Sequence, residues 1–235
     1  MRNLIQRNSI FLSLSLVLLV ALGLALLCIE KGELHLLLCD RHTPARDIFY
    51  RYYTHVAEWF PYVLCAAILL FGRLGDGLFA SACQAFSALT TQIIKHILVA
   101  PRPLTWFAEH APDVQLPLAE GVKMNYWYSF PSGHTTSFFA LTFALCILAS
   151  ENLTAERSNS ETVCQRKRSI SVAVQLLLFI AAALGGYSRI YLSQHFAADV
   201  FGGMIVGCLI TIVCYAIFSR YEDKKWYNYR VLQKK

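Results

Sequence analysis

The sequence predicts an all-α fold, a polytopic membrane protein with six transmembrane helices and both termini cytoplasmic. Three observations predict it. Of the 235 residues, 56% are hydrophobic and only 15% charged, against about 25% charged in a typical soluble domain, and the mean hydropathy is +0.46. So few charges cannot wet a soluble surface of this size. Six apolar runs follow one another at 10–29, 56–72, 77–98, 132–149, 170–187 and 199–218. With those spans, thirteen of the 21 Lys and Arg residues, among them Arg2, Arg7, Arg73, Arg157, Lys234 and Lys235, fall on the side of the termini. Basic residues are retained in the cytoplasm, which orients the chain.

Residues 10–29 are twenty uncharged residues, about 30 Å of helix and enough to cross the hydrocarbon core. A cleaved signal peptide is the other reading, since Arg2 and Arg7 precede the run. Against it, no A-x-A site follows and the run is long for an h-region. Cys28 follows Leu27 rather than a small residue, which speaks against lipoprotein processing. Residues 32–55 are too polar to cross, yet they carry Leu34, Leu36, Phe49, Tyr50 and Tyr53 among Arg41, Arg46 and Arg51. They are expected to lie in the interface, either guiding a headgroup or covering helix ends.

Arg73 lies between the second and third runs, on the side of the termini. The loop 104–130 brings Trp106, Phe107, Tyr126, Trp127 and Tyr128, whose rings settle at headgroup depth. Residues 151–169 read as a cytoplasmic polar linker, where the Asn152-Leu153-Thr154 sequon carries no meaning. On the last run Gly203 and Gly207 form a G-x-x-x-G, the pattern of close helix packing, with Gly202 beside it. No internal repeat or low-complexity tract divides the chain, so it reads as a single domain over 1–235.

Eight cysteines suggest neither a disulfide framework nor a metal site. No C-x2-C pair occurs, and six of them lie in or at the edge of apolar runs as small filler. Cys39 is expected to be exposed on the outer side without a partner. The net charge of +6 reads as a topology signal and an attraction to anionic lipid headgroups, not to nucleic acid.

With this topology three distant clusters meet at the outer face. Lys95 ends the third run, with Arg102 and Pro103 just beyond it. Pro131-Ser132-Gly133-His134 opens the fourth, and Ser188-Arg189 ends the fifth. His195 and Asp199 open the sixth. Basic residues near the apolar slab are costly; Lys95, Arg102 and Arg189 either snorkel to the interface or serve as fixed cations for an anion. The tetrapeptide before an apolar run reads as a helix start, where backbone N–H groups bind phosphate. Gly133 permits close approach, and the Ser132 hydroxyl is a donor or a cap. Taken alone, it fits a plain helix cap with a spare histidine equally well. His195 and Asp199, four apart, would share a helix face, letting the carboxylate fix the imidazole tautomer.

Together these clusters read K-x6-R-P, P-S-G-H and S-R-x5-H-x3-D, eleven specified positions in order. In this the chain resembles the type-2 phosphatidic acid phosphatase family, over a core of 95–199. The resemblance implies a membrane lipid phosphatase. His195 would be the nucleophile that forms a phosphohistidine and Asp199 its orienting partner. His134 would be the general acid for the leaving alkoxide, and Lys95, Arg102, Ser132, Gly133 and Arg189 would bind phosphate. It also implies no metal ion and no other cofactor; no carboxylate cluster beside the histidines suggests a two-metal site. The implied partners are a lipid phosphate and the surrounding membrane lipids, with the oligomeric state left open.

Small size and short loops point to a bacterial cytoplasmic membrane, with the site facing the periplasm. Lipid A is the first substrate reading, because the aromatic and basic outer segments suit a bulky anionic headgroup. Undecaprenyl pyrophosphate follows, then phosphatidylglycerol phosphate or phosphatidic acid. The rival of another class is a transporter or structural membrane protein that only binds phosphate. Against it, the charges gather at one helix-end surface and do not line a path through the spans.

Overall fold

The structure, a computed structural model, describes residues 2–155 and 161–232. Arg157, Lys234 and Lys235, counted above on the terminal side, lie outside the described residues. Among the described residues the chain is all-helical, without a strand. Its α-helices in order are α1 (Arg2–Arg7), α2 (Ser9–Cys28), α3 (Lys31–Cys39), α4 (Pro44–Phe71), α5 (Leu74–Leu98), α6 (Pro103–His110), α7 (Gly133–Ala155), α8 (Glu161–Tyr191) and α9 (Ala197–Phe218). Five of them, α2, α4, α7, α8 and α9, contain stretches long and apolar enough to cross a membrane. The expected third span corresponds to α5. It is 25 residues long, but Gln84, Ser87, Thr91 and Lys95 form a polar inner face, all buried, which lowers its hydropathy below that of the others.

α7 is the centre of the bundle. Phe138, Phe139, Ala140, Phe143, Ala144 and Ile147 are buried on every side of it, as befits a helix that is apolar all round; α4, α5, α8 and α9 pack against it. The G-x-x-x-G of α9 brings its backbone against that of α7. A Cβ on Gly203 would stand 2.7 Å from the Ser132 carbonyl oxygen, and one on Gly207 would stand 2.6 Å from that of Thr136. Only glycine lets the two backbones meet there, and the contact fixes the start of α7 beside the start of α9.

α2 is peripheral and lipid-facing, with Phe11 as its anchor. That ring stacks on Phe143 at 5.2 Å and meets Phe179 edge-on at 6.1 Å. Two backbone N–H groups in the first turn of α2, those of Ile10 and Phe11, donate to the Gln175 side-chain oxygen at 3.2 and 3.3 Å. A polar side chain within the apolar run of α8 thus satisfies donors that a helix start leaves unpaired. At the same end, the C-terminal segment covers the start of α5, with Leu74 N–H donating to the Tyr229 carbonyl at 2.8 Å and Gly75 N–H to that of Tyr227 at 2.9 Å.

Three local expectations are corrected. The segment 32–55 is not one interfacial stretch, because α4 begins at Pro44 and runs continuously through residue 56. Its start is local chemistry: the Thr43 hydroxyl accepts the Arg46 N–H at 3.3 Å, Pro44 occupies the first turn, and Asp47 complements the helix dipole. The described residues of the polar linker 151–169 are helical, 151–155 ending α7 and 161–169 starting α8. Cys39 is fully buried rather than exposed, since α3 packs along α8 and covers the helix ends there. Leu37, Ile48, Phe49 and Tyr52 remain open on the same side.

Candidate active site

Helix direction brings the three clusters together. Lys95 is in the last turn of α5, Ser132 to His134 start α7, Arg189 is in the last turn of α8, and His195 and Asp199 flank the start of α9. All eight expected site residues therefore gather at one end of the bundle. Ser132 N–H donates to the Asp199 carbonyl at 2.9 Å, joining the second cluster to the third directly. Three non-glycine residues with left-handed backbone lie in the same region: Val99 (φ 43), Tyr128 (φ 60) and Ser193 (φ 50). Such conformations are costly and tend to collect at functional sites.

The cations are deeply placed: Lys95 is 7% exposed, Arg102 9% and Arg189 6%. Snorkelling to the interface is therefore not what they do. Their groups are held by neutral acceptors. Lys95 Nζ donates to the Tyr128 carbonyl. Arg102 Nε donates to the Trp127 carbonyl at 3.0 Å and its Nη1 to the Gln194 carbonyl at 3.1 Å. Arg189 Nη1 donates to the Thr54 hydroxyl at 2.6 Å, and its Nε has no partner among the described residues. Among the described residues no ion pair joins any of the three to a carboxylate. Tyr126, Trp127 and Tyr128 are 42–59% exposed, so this loop offers rings to the rim and carbonyls to the site. Phe107, by contrast, is buried rather than at the rim.

His195 is 1% exposed and lies in the turn before α9, not on the helix. The four-residue spacing works for a different reason than a shared helix face. Asp199 is the third residue of α9 and folds back, its Oδ2 accepting the Phe196 N–H at 2.8 Å and the Ser129 hydroxyl at 2.5 Å, as an acidic residue at that position does in a helix cap. The imidazole Nδ1 of His195 is 3.4 Å from the same oxygen. With Nδ1 facing Asp199, Nε2 is the free nitrogen. Burial, and then the positive charges of Arg102, Arg189 and Lys95, hold the His195 imidazole well below the ordinary histidine range, so its neutral, nucleophilic form prevails. Asp199→Asn is expected to keep the fold and lose up to about 10⁴-fold in turnover, as when the carboxylate that orients a catalytic histidine is replaced by its amide; single-turnover rates check it.

At the start of α7, Ser132 is a cap. Its Oγ accepts the Thr135 N–H at 3.4 Å and the Thr135 hydroxyl at 2.9 Å, which leaves its own proton free to donate. Gly133 presents an open backbone, with nothing closer than the Thr91 methyl at 3.6 Å to an added Cβ. His134 keeps 23% of its side chain exposed, with Nε2 at 3.2 Å from Glu58 Oε1.

Four residues at the site escaped sequence reasoning. Ser129 holds Asp199. Gln194, 2% exposed, accepts from both arginines through its side-chain oxygen, Arg102 at 3.3 Å and Arg189 at 3.4 Å. Thr54 and Glu58 come from α4. Of these only Glu58 left a signal, being an acidic residue inside an apolar run. Behind the site, His35 of α3 is buried between Phe107 and Phe196, and burial pushes it down to about 4.

Comparison with known proteins finds relatives of this chain. Lipid phosphate phosphatase 2 of Arabidopsis thaliana is 29% identical over 153 residues, covering 60% of this chain and 50% of its own length. The chain thus spans half the length of that plant relative. Undecaprenyl-diphosphatase BcrC of Bacillus subtilis is 25% identical over 164 residues, 68% of this chain and 67% of its own. The crystal structure of a transmembrane PAP2-type phosphatidylglycerolphosphate phosphatase from Bacillus subtilis shares the fold, with a TM-score of 0.54 over 94% of this chain and 100% of that one, at 19% identity. The family model described as PAP2 superfamily matches residues 76–223, a stretch that contains all three clusters and most of the bundle, and by that match the chain belongs to the PAP2 superfamily.

Proposed function

We propose that this chain is a membrane lipid phosphatase that works through a phosphohistidine on His195. The observation that carries the reading is the buried group of Lys95, Arg102 and Arg189 around His195, three cations of which none is ion-paired among the described residues, with Asp199 and the half-exposed Glu58 as the carboxylates near them. Burying charge without a partner is expensive, and a phosphate with several oxygens would supply the missing partner. Phosphoryl transfer itself depends mainly on positioning and charge neutralisation.

In the proposed reaction the three cations and the N–H groups at the start of α7 hold the phosphoryl oxygens. His195 Nε2 attacks phosphorus as the bond to the lipid oxygen breaks, and His134 gives that oxygen its proton. A water then attacks the phosphohistidine, its proton passing to His134, and the N–P bond breaks to release phosphate and restore both histidines. Asp199 supports the imidazolium side of His195 through Nδ1.

Family membership and relatives named for lipid phosphates support a lipid substrate. We place lipid A phosphate first, on the aromatic and basic outer segments. Undecaprenyl diphosphate is the second reading, favoured by the likeness to BcrC over two thirds of both chains. The topology proposed with it has six spans in one domain over 1–235, with its motif-bearing core at 95–199. Both termini are cytoplasmic and the site faces the periplasm across a bacterial cytoplasmic membrane. The length of α5, 25 residues and so about 37 Å, supports counting it as the third of the six spans.

The test is phosphate release by the purified protein in detergent from lipid A, undecaprenyl diphosphate, phosphatidylglycerol phosphate and phosphatidic acid. Release from at least one is expected. Release from none would leave a phosphate-binding transporter or structural protein. Activity is expected to survive excess EDTA and to be inhibited by vanadate, which mimics the trigonal bipyramidal transition state; loss in EDTA restored by Mg2+ would overturn the site assignment.

A further inference from the structure

The proposed acid, His134, has a partner that no motif contains. Glu58 lies on α4, outside the residues matched by the family model. It uses its two oxygens on two imidazoles, with Oε1 at 3.2 Å from His134 Nε2 and Oε2 at 2.9 Å from His55 Nδ1. One turn earlier on the same helix face, Thr54 accepts from Arg189 Nη1 at 2.6 Å. Two side chains of α4 therefore meet two site residues, and the register of α4 against the site is fixed at both.

Resting on the phosphatase reading, we propose that Glu58 is a positioning residue for His134, holding its Nε2–H so that the proton for the leaving group is carried on Nδ1. His55 holds the other oxygen and limits the rotamers open to the carboxylate. Glu58 is half exposed, so the pair contributes little to stability, and its effect is on the orientation of one ring. It is also a negative charge beside an anion site. Its removal should therefore not weaken substrate binding, which separates this role from that of the cations.

The experiment uses the full chain in detergent, with Glu58→Ala and Glu58→Gln measured in single-turnover mode. The substrates are the best lipid phosphate and p-nitrophenyl phosphate, whose leaving group needs no acid. Expected are a loss on the lipid for Glu58→Ala that stays within the roughly 10²–10⁴-fold a general acid contributes, and a smaller loss for Glu58→Gln, which keeps an acceptor. KM should not rise, the nitrophenyl ester should be nearly unaffected, and Glu58→Ala should add nothing in a His134→Ala background. Equal losses on both substrates, losses additive with His134→Ala, or full activity in both variants would overturn the proposal. Should Glu58→Ala fail to fold, the same comparisons on Glu58→Gln decide. An inactive wild-type protein would instead sink the phosphatase reading itself.

Discussion

His195→Ala is expected to abolish turnover, by at least about 10⁴-fold, as when the nucleophile of a covalent mechanism is removed, while the protein still folds and inserts. The site is deep, and His195 makes one long side-chain contact to Asp199 and one to Ser129, at 3.4 and 3.5 Å. Its removal therefore costs little of the hydrogen bonding that fixes Asp199. Labelled substrate should leave acid-labile, alkali-stable phosphate on the wild-type protein and none on the variant. Full activity in His195→Ala would end the covalent mechanism. The same residue sets an expectation for pH. Because burial and three cations depress its affinity for a proton, the neutral nucleophile persists below the ordinary histidine value of 6.5. The acid limb of kcat/KM, which reports the free enzyme, should accordingly lie below pH 6.5.

For His134→Ala the expected loss depends on the leaving group. A lipid alkoxide is a poor leaving group, and losing its proton donor should cost about 10²–10⁴-fold in rate. The p-nitrophenolate group leaves unaided and should lose far less, whereas His195→Ala silences both substrates. Single-turnover rates are needed, because slow hydrolysis of the phosphohistidine would mask the first step. Equal losses on the two substrates would remove the acid role and leave His134 as a phosphate-binding or structural residue.

The all-helical membrane architecture and the family were legible in the sequence for physical reasons. In a bilayer every backbone polar group must be paired within its own segment, so long apolar runs can only be helices. A phosphoryl site needs cations, a nucleophile and a helix start, and those residue types cannot be exchanged for others without losing the chemistry. The eight motif residues therefore stand out by identity and spacing. Helix boundaries were less legible. The start of α4 was hidden because Arg46, Asp47 and Arg51 look interfacial, although Thr43 and Pro44 mark a helix start. The His195-x3-Asp199 spacing was informative while its assumed conformation was not, because Asp199 caps the Phe196 N–H and so ends the helix short of His195.

What the sequence determined by itself was the solvent, the class of fold and the chemical inventory of one face. The tertiary structure alone decided how that inventory is held. Thr54 and Arg189 are 135 residues apart, Arg102 and Gln194 92, Glu58 and His134 76, and Ser129 and Asp199 70. No local pattern links residues at such separations. They meet because α7 is packed on all sides and because Gly203 and Gly207 let the backbones of α7 and α9 touch. That contact sets the start of one helix against the start of the other and makes a single site of three distant segments.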